Sequence, residues 1–283
     1  MQWRDFAKFL MFGVGLATTR DSTPTKAIPV IKFFDPTPDT PRSFGFKVCW
    51  FAIQTSNPKL IFEALELGEP TQANWASGVA AAFGGHPHPA YAGWVFVSPP
   101  LNGWVLVLHS SFPYPVAAGL RHSEIGEKFN VLFSRLATRF ANVQFFGSHR
   151  VVGFAAWALA ANGQITRVFS YCERTLENFG DQTAEEVILH FINLDGLPPD
   201  GADTKFLAES EKYFADETAL VAAGLKHQEA AERMQQSGRK TIPDEEDVIR
   251  LAALWSIDPT RISDQRYPAS AGWVAPLPTS FSA

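Results

Sequence analysis

The chain has 283 residues, 46% of them hydrophobic and 19% charged, so it can bury a substantial core and is not of disordered composition. Its formal charge of −5 argues against a general nucleic-acid surface, because such surfaces need clustered Lys and Arg. No apolar run approaches the length of a membrane span. A basic partner suits this charge better than an anionic one.

The two ends of the chain predict less regular structure than its middle. Residues 9–17 form an apolar run behind basic residues, as in the core of a signal peptide. Asp5 interrupts the basic region, which favours a tethered N-terminal helix or arm over residues 1–45 and a cytoplasmic protein. Five prolines between residues 20 and 43 predict that this arm is extended. The three prolines of residues 266–283 predict a coil tail.

A strand and two helices begin the single domain that we expect over residues 46–265. The aromatic and β-branched residues of 47–55 predict a buried strand. Residues 59–67 then show the spacing of one apolar helix face. Residues 72–85 are rich in alanine and predict a short helix, in which Trp75 is a candidate packing anchor.

Two hairpins are predicted further along the chain. Residues 94–109 predict two strands joined by the turn residues PPLNG. Residues 150–160 and 164–171 flank Asn162-Gly163, the strongest hairpin signal in the chain, because this pair accepts the positive φ values of a tight turn. These hairpins, alternating with helices, predict an α+β fold with a mainly antiparallel sheet flanked by helices.

Three other segments predict helices from their local signals. Residues 123–141 carry an apolar stripe, and Ser123 is a residue type that caps helices. The polar stretch 203–240 predicts helix from its Ala, Glu and Lys content. Residues 243–259 predict another helix, with Asp244 as cap and acidic side chains in the first turn. Thr183 has capping-box spacing to Glu186.

The cysteines predict no redox chemistry. Cys49 and Cys172 lie in apolar, strand-like runs, and the sequence contains no CxxC pair. We expect two reduced, buried thiols, although a disulfide stays open.

The loop 84-GGHPHPAY-91 raises the question of a metal or catalytic site. His86 and His88 would share one face of a strand, but zinc needs three or four protein ligands, and no cysteine lies nearby in sequence. The glycines and prolines around them predict a loop. We therefore assign no metal and no cofactor, and we expect a plain or partner-contacting loop.

A search for a nucleophile gives no catalytic assignment. The sequence contains no G-x-S-x-G elbow, no P-loop and no G-x-G-x-x-G. Ser148 and His149 are adjacent on a predicted strand and would point to opposite faces, which is poor geometry for a dyad. The acids of residues 244–247 are explained by their place at a helix start.

Several stretches together resemble a known group of proteins. They are GFKVCWFAIQTSNPKLIFEALEL, ANWASGV, VFVSPPLNGWVLVLH, HRVVGFAAWALAANGQITRVFSY and PDEEDVIRLAALWSIDPTRI, covering roughly residues 45–195 and 242–262. They are similar to bacterial proteins that occur with polymorphic toxins of the Rhs and type VI secretion kind and resemble immunity proteins. The resemblance implies a protein partner, a cognate toxin domain whose active site is blocked, and no catalytic residues.

Two segments are candidate contacts for such a partner. One is the histidine loop, with His86, His88 and Tyr91. The other is the polar helical stretch, whose acids could face a basic cleft of the toxin: Glu209, Glu211, Asp216 and Glu217. Two alternatives stay open. One is a hydrolase that uses His149 or the histidine loop, and the other is a small-molecule or peptide binding module with a pocket of Phe and Trp side chains.

Overall fold

A broad antiparallel sheet organises the computed structural model, which describes residues 34–84, 93–236 and 242–281. In these residues the sheet has nine strands in the order β2-β9-β3-β4-β1-β5-β6-β7-β8. The strands are β1 Val48–Gln54, β2 Thr71–Asn74, β3 Trp94–Val97, β4 Trp104–His109, β5 Asn142–His149, β6 Phe154–Ala161, β7 Gln164–Cys172, β8 Arg174–Phe179 and β9 Ala271–Pro276. All pairings are antiparallel, which confirms the predicted α+β class.

Helices cover both faces of the sheet. They are α1 Lys59–Ala64, α2 Trp75–Ala82, α3 Ser123–Arg139, α4 Ala184–Ile188, α5 Pro199–Ala222, α6 His227–Gln236 and α7 Glu245–Trp255. Short 3-10 helices lie at Arg150–Val152, Pro259–Asp264 and Thr279–Phe281. Among the described helices, none is both long and apolar enough to cross a membrane.

The central strands are apolar on both faces because each face has its own helical layer. In β1, Phe51 packs with Phe133 of α3, whereas its neighbour Trp50 stacks on Phe146 on the opposite face. Phe146 in turn contacts Trp255 of α7. Successive side chains of a strand alternate between faces, so a strand buried on both faces becomes a continuous apolar run.

Several local predictions are confirmed. Asn162 and Gly163 have φ values of 51° and 81° and join β6 to β7 as a two-residue hairpin. Asp244 and Thr183 each form a complete capping box, at the starts of α7 and α4. The polar stretch is helical as α5 and α6, although α5 begins earlier than predicted, at Pro199.

The cap predicted at Ser123 is wrong. The residue before α3 is His122, which has a φ of 69° and makes no side-chain cap, and Ser123 is already the first helical residue. The α3 helix itself is confirmed, and its apolar stripe is buried against β5 through Phe129. Packing of that stripe therefore fixes the helix without a serine cap.

The coil predicted for residues 266–283 is also wrong for part of its length. Ala271–Pro276 form β9, which lies inside the sheet between β2 and β3. Pro276 is the last residue of the strand, and Val274 is fully buried. Proline is tolerated at a strand end because the ladder needs no further N–H there.

The end of the expected N-terminal arm packs on the domain. Phe34 and Phe44 are buried in the core, and Asp39 forms an antiparallel bridge with Ser270. Residues 1–33 lie outside the described residues. The segment from Phe34 onward therefore contributes to the domain core.

Candidate functional site

One end of the sheet brings together segments that are distant in sequence. We call it the His149 end, defined as the end at which β1, β6 and β8 begin and β4, β5 and β7 finish. The register shows this directly, since Val48 pairs with Ser148 and Cys49 pairs with His109. Gly93, which follows the predicted histidine loop, lies at the same end, because β3 begins beside the end of β4.

Exposed apolar and cationic side chains adjoin each other at this end. Phe46 is 45% exposed and Val151 is 71% exposed, and Lys47 and Arg150 stand next to them in sequence. The pairing of β1 with β5 ends at Val48 and Ser148, so these four residues lie just beyond two neighbouring strand ends. Lys47 is among the charges that act on His149, which directly precedes Arg150. We call these four residues, Phe46, Lys47, Arg150 and Val151, the Phe46–Val151 surface.

The backbone around Phe46 holds this aromatic side chain outward. Val48 is buried, and two residues earlier on a regular strand the side chain would lie on the same buried face. Lys47 instead has a φ of 56°, in the left-handed region that costs a non-glycine residue about 1 kcal/mol. Gly45 is also fixed, because its carbonyl accepts a 2.8 Å hydrogen bond from Ser148 Oγ and a Cβ there would lie 2.7 Å from Ile249.

The second feature of this end is the helical hairpin formed by α5 and α6. The N-terminal end of α5 lies beside the end of β8, where Asn178 Nδ2 donates to the Leu197 carbonyl at 2.8 Å. One turn into α5, Asp203 accepts from the backbone N–H of Thr175, near the start of β8. Phe206 still packs on β7, and the rest of α5, about 24 Å at 1.5 Å per residue, continues past the His149 end. There α6 packs on α5 and buries Ala230.

The predicted acidic residues of α5 do not form one cluster. Glu209 and Asp216 are seven residues apart and share a face, whereas Glu217 lies about 80° further around the helix from Glu209. Glu211 lies about 160° around the helix from Glu209. Glu209 and Asp216 each already have an interaction partner. The helix therefore places two of the four acids, Glu209 and Asp216, on one face, and Glu211 lies on the opposite side.

Glu211 belongs to an apolar face of α5. Leu207 and Phe214 are 62% and 63% exposed, and they are seven residues apart, with Glu211 between them. Phe206 is buried against Phe169 and Tyr171 of β7, so the body of the domain lies on another side of the helix. We call Leu207, Glu211 and Phe214 the α5 outer face.

The histidine loop lies largely outside the described residues, and His86, His88 and Tyr91 fall in that part. Its C-terminal boundary is described. His109 donates from Nε2 to the Gly93 carbonyl and accepts at Nδ1 from the Ser111 N–H at 3.0 Å. Burial lowers the pKa of His109, and both ring nitrogens already serve backbone groups. His109 therefore holds the strand that follows the loop as a neutral imidazole.

The serine and histidine at the end of β5 do not form a catalytic pair. Ser148 is buried and donates to Gly45, whereas His149 is half-buried and lies on the other side of the strand, as expected. Burial lowers the pKa of His149, with Lys47 and Glu245 as nearby charges. Arg150 Nη1 lies 3.7 Å from Glu245 Oε1, which is a loose ion pair. This arrangement provides charge for binding and no activated nucleophile.

Other reactive groups in the described residues are accounted for by the fold. Cys49 and Cys172 are free and buried, as expected, and burial raises the pKa of their thiols to about 12 and about 11. No three His, Cys, Asp or Glu side chains come together there as metal ligands. Trp50, Trp75 and Trp157 are fully buried in the core and do not line an open pocket.

Comparison with protein-family models, with curated proteins and with solved structures gives no match for this chain. The site is therefore defined by its own geometry.

Sequence reasoning missed the apolar members of both surfaces. Leu207 and Phe214 could have been found, because two large apolar residues seven apart on a polar helix share one face. Phe46 could not, because the pattern Phe44, Phe46, Val48 predicts one continuous buried face. Its exposure depends on the left-handed backbone at Lys47, which has no local signal.

Proposed function

We propose that this protein binds a toxin domain with a basic active-site cleft and neutralises it by covering that cleft. As an immunity protein it would act in the cytoplasm of the cell that produces the toxin. The observation that carries the proposal is the α5 outer face, where Leu207, Glu211 and Phe214 face away from the body of the domain.

The charge of α5 supports a basic partner. The helix carries six acidic and two basic side chains, a net charge of −4, against −5 for the whole chain. Of this, a net charge of −3 (four acids and Lys212) lies on residues 207–222, beyond the part of α5 that packs on β8. Charge concentrated in this way accelerates association with a surface of opposite sign and excludes surfaces of the same sign.

The apolar side chains of α5 support a protein partner over a small ligand. Binding energy at protein interfaces is concentrated in a few large side chains, aromatic ones above all, that are buried on association. Phe214 and Leu207 are held on a continuous helix, so little backbone freedom is lost when they are covered. A convex helix face suits the concave active site of an enzyme.

The test begins with the tagged protein in its own host at moderate salt and with identification of a stoichiometric partner by mass spectrometry. The purified partner is then assayed for its own activity with and without this protein. We expect inhibition at a 1:1 ratio and about tenfold weaker inhibition for Phe214→Ala. Ile188→Ala is the matched control, because Ile188 is equally exposed at 63% and lies on α4.

A partner whose activity is unaffected by this protein contradicts the proposal. Equal loss of inhibition by Phe214→Ala and Ile188→Ala contradicts the placement of the contact on α5. The hydrolase and small-molecule alternatives have no supporting contact among the described residues, and metal or a small molecule that copurifies with the protein would favour them.

A further inference from the structure

We infer that two copies of this chain pair reciprocally, each placing its α5 outer face on the Phe46–Val151 surface of the other. The α5 outer face is apolar and acidic through Leu207, Glu211 and Phe214. The Phe46–Val151 surface is apolar and basic. The α5 outer face of a second copy therefore complements it in both apolar character and charge.

The chemistry of the two surfaces is complementary in charge. Arg150 is 71% exposed, and its ion pair with Glu245 is loose at 3.7 Å, so it can turn toward a second carboxylate. Lys47 is exposed beside it. A carboxylate such as Glu211 between two apolar side chains could approach these cations while Leu207 and Phe214 cover Phe46 and Val151. Apolar contact then supplies affinity, and the charges fix the orientation.

Both surfaces lie at the same end of the sheet, so the pairing of two copies gives a closed dimer. If a projecting surface and its complement lay at opposite ends, copies would join head to tail into an open chain. Here α5 extends past the same end that carries Phe46 and Val151. A twofold axis beyond that end lets each copy give its helix to the other, so both contacts form in one dimer.

The fixed conformation of Phe46 fits an interface. The left-handed backbone at Lys47 holds this side chain outward at a local energetic cost, and the Ser148 bond to Gly45 fixes the preceding residue. Because the backbone that carries Phe46 is held on both sides, little backbone freedom is lost when its side chain is covered. Exposed aromatic residues of this kind are the usual anchors of protein interfaces.

Dimerisation and the proposed inhibition would use the same α5 outer face, so a bound partner would have to displace the second copy. The inference nevertheless stands on the two surfaces alone and does not require the proposed function.

The test uses the purified full chain without any partner. Sedimentation velocity over a concentration series at low salt is expected to show a species of twice the monomer mass of 31.2 kDa, which weakens as salt is added. Arg150→Glu and Glu211→Arg are each expected to weaken the dimer by about tenfold, and the double variant to recover most of that loss. Arg261→Glu is the control, since Arg261 is 69% exposed.

Three outcomes overturn the inference. The first is a chain that stays monomeric at every concentration. The second is a dimer weakened equally by Arg150→Glu and Arg261→Glu. The third is a dimer in which the two charge reversals together are no better than either alone. If Arg150→Glu is monomeric and still inhibits the partner fully, the dimer is supported and the proposed function is unaffected.

Discussion

The carboxylate of Asp39 accepts a hydrogen bond from the backbone N–H of Trp75 at 2.7 Å. Its second oxygen accepts from the Ala76 N–H at 3.0 Å. Together with the Asn74 side chain, which accepts from the Ser77 N–H, Asp39 satisfies three of the four unpaired N–H groups at the start of α2. A residue from the expected N-terminal arm thus completes a helix cap in the domain.

Replacing Asp39 with alanine is therefore expected to lower the free energy of unfolding by about 2 kcal/mol, because two helix N–H groups lose a charged acceptor. Urea denaturation followed by circular dichroism measures this change. Asp264→Ala is the control, since Asp264 is 61% exposed and pairs only loosely with Arg261 at 3.4 Å. Equal effects of the two substitutions would show that the cap contributes nothing.

A buried ion pair between Arg167 and Glu186 joins β7 to α4. Arg167 Nε lies 3.1 Å from both oxygens of Glu186, and Trp157 Nε1 donates to the same carboxylate at 3.0 Å. Both charged side chains are almost fully buried. Glu186→Leu alone is expected to cost about 4 kcal/mol, because the Arg167 guanidinium stays buried without its counter-charge.

The double variant Arg167→Met with Glu186→Leu is expected to cost clearly less than the sum of the two single variants, because no buried charge is left unpaired. A double-mutant cycle in urea gives the coupling energy. Additive effects would mean that the two side chains do not stabilise each other.

His109 predicts a loss of stability in mild acid. Burial lowers its pKa below the ordinary value of 6.5 in the folded protein, so the unfolded chain binds the proton first. The free energy of unfolding should therefore fall as the pH drops below about 6.5, until the folded imidazole also titrates. Nδ1 of His109 now accepts from the Ser111 N–H, and this hydrogen bond is lost when Nδ1 is protonated.

His109→Gln removes this titration and is expected to flatten the fall in stability between neutral and mildly acidic pH. His149→Gln should flatten it less, because His149 is only half-buried. The measurement is the urea midpoint of the parent and of both variants between neutral and mildly acidic pH. A pH profile of His109→Gln that parallels the parent would exclude His109 as the cause.

The position of β9 predicts that the end of the chain is essential for folding. A chain ending at Tyr267 lacks the strand between β2 and β3 and exposes the buried edges of both. We expect the full chain to unfold in one cooperative thermal transition and the truncated chain to lose it. A chain ending at Phe281 keeps β9 and is the control. An unchanged transition after removal of β9 would contradict its place in the sheet.

Local interactions account for the parts of the structure that the sequence alone predicted. The Asn162-Gly163 turn and the capping boxes at Thr183 and Asp244 each depend on residues a few positions apart. Short-range sterics and hydrogen bonds decide such features, so the residue types are sufficient evidence. The α+β class followed from the alternation of predicted hairpins and helices along the chain.

The remaining features depend on contacts between distant parts of the chain. The strand β9 pairs with β3 although about 175 residues separate them, and a proline-containing segment gives no local sign of such a partner. Phe46 is exposed where the backbone at Lys47 is left-handed, next to Gly45, whose carbonyl accepts from the distant Ser148. Residue types alone thus determined the net charge and the elements with a local signal. The packed sheet decided β9 and which strand ends meet, since pairing energy between distant segments exists only once the chain has folded.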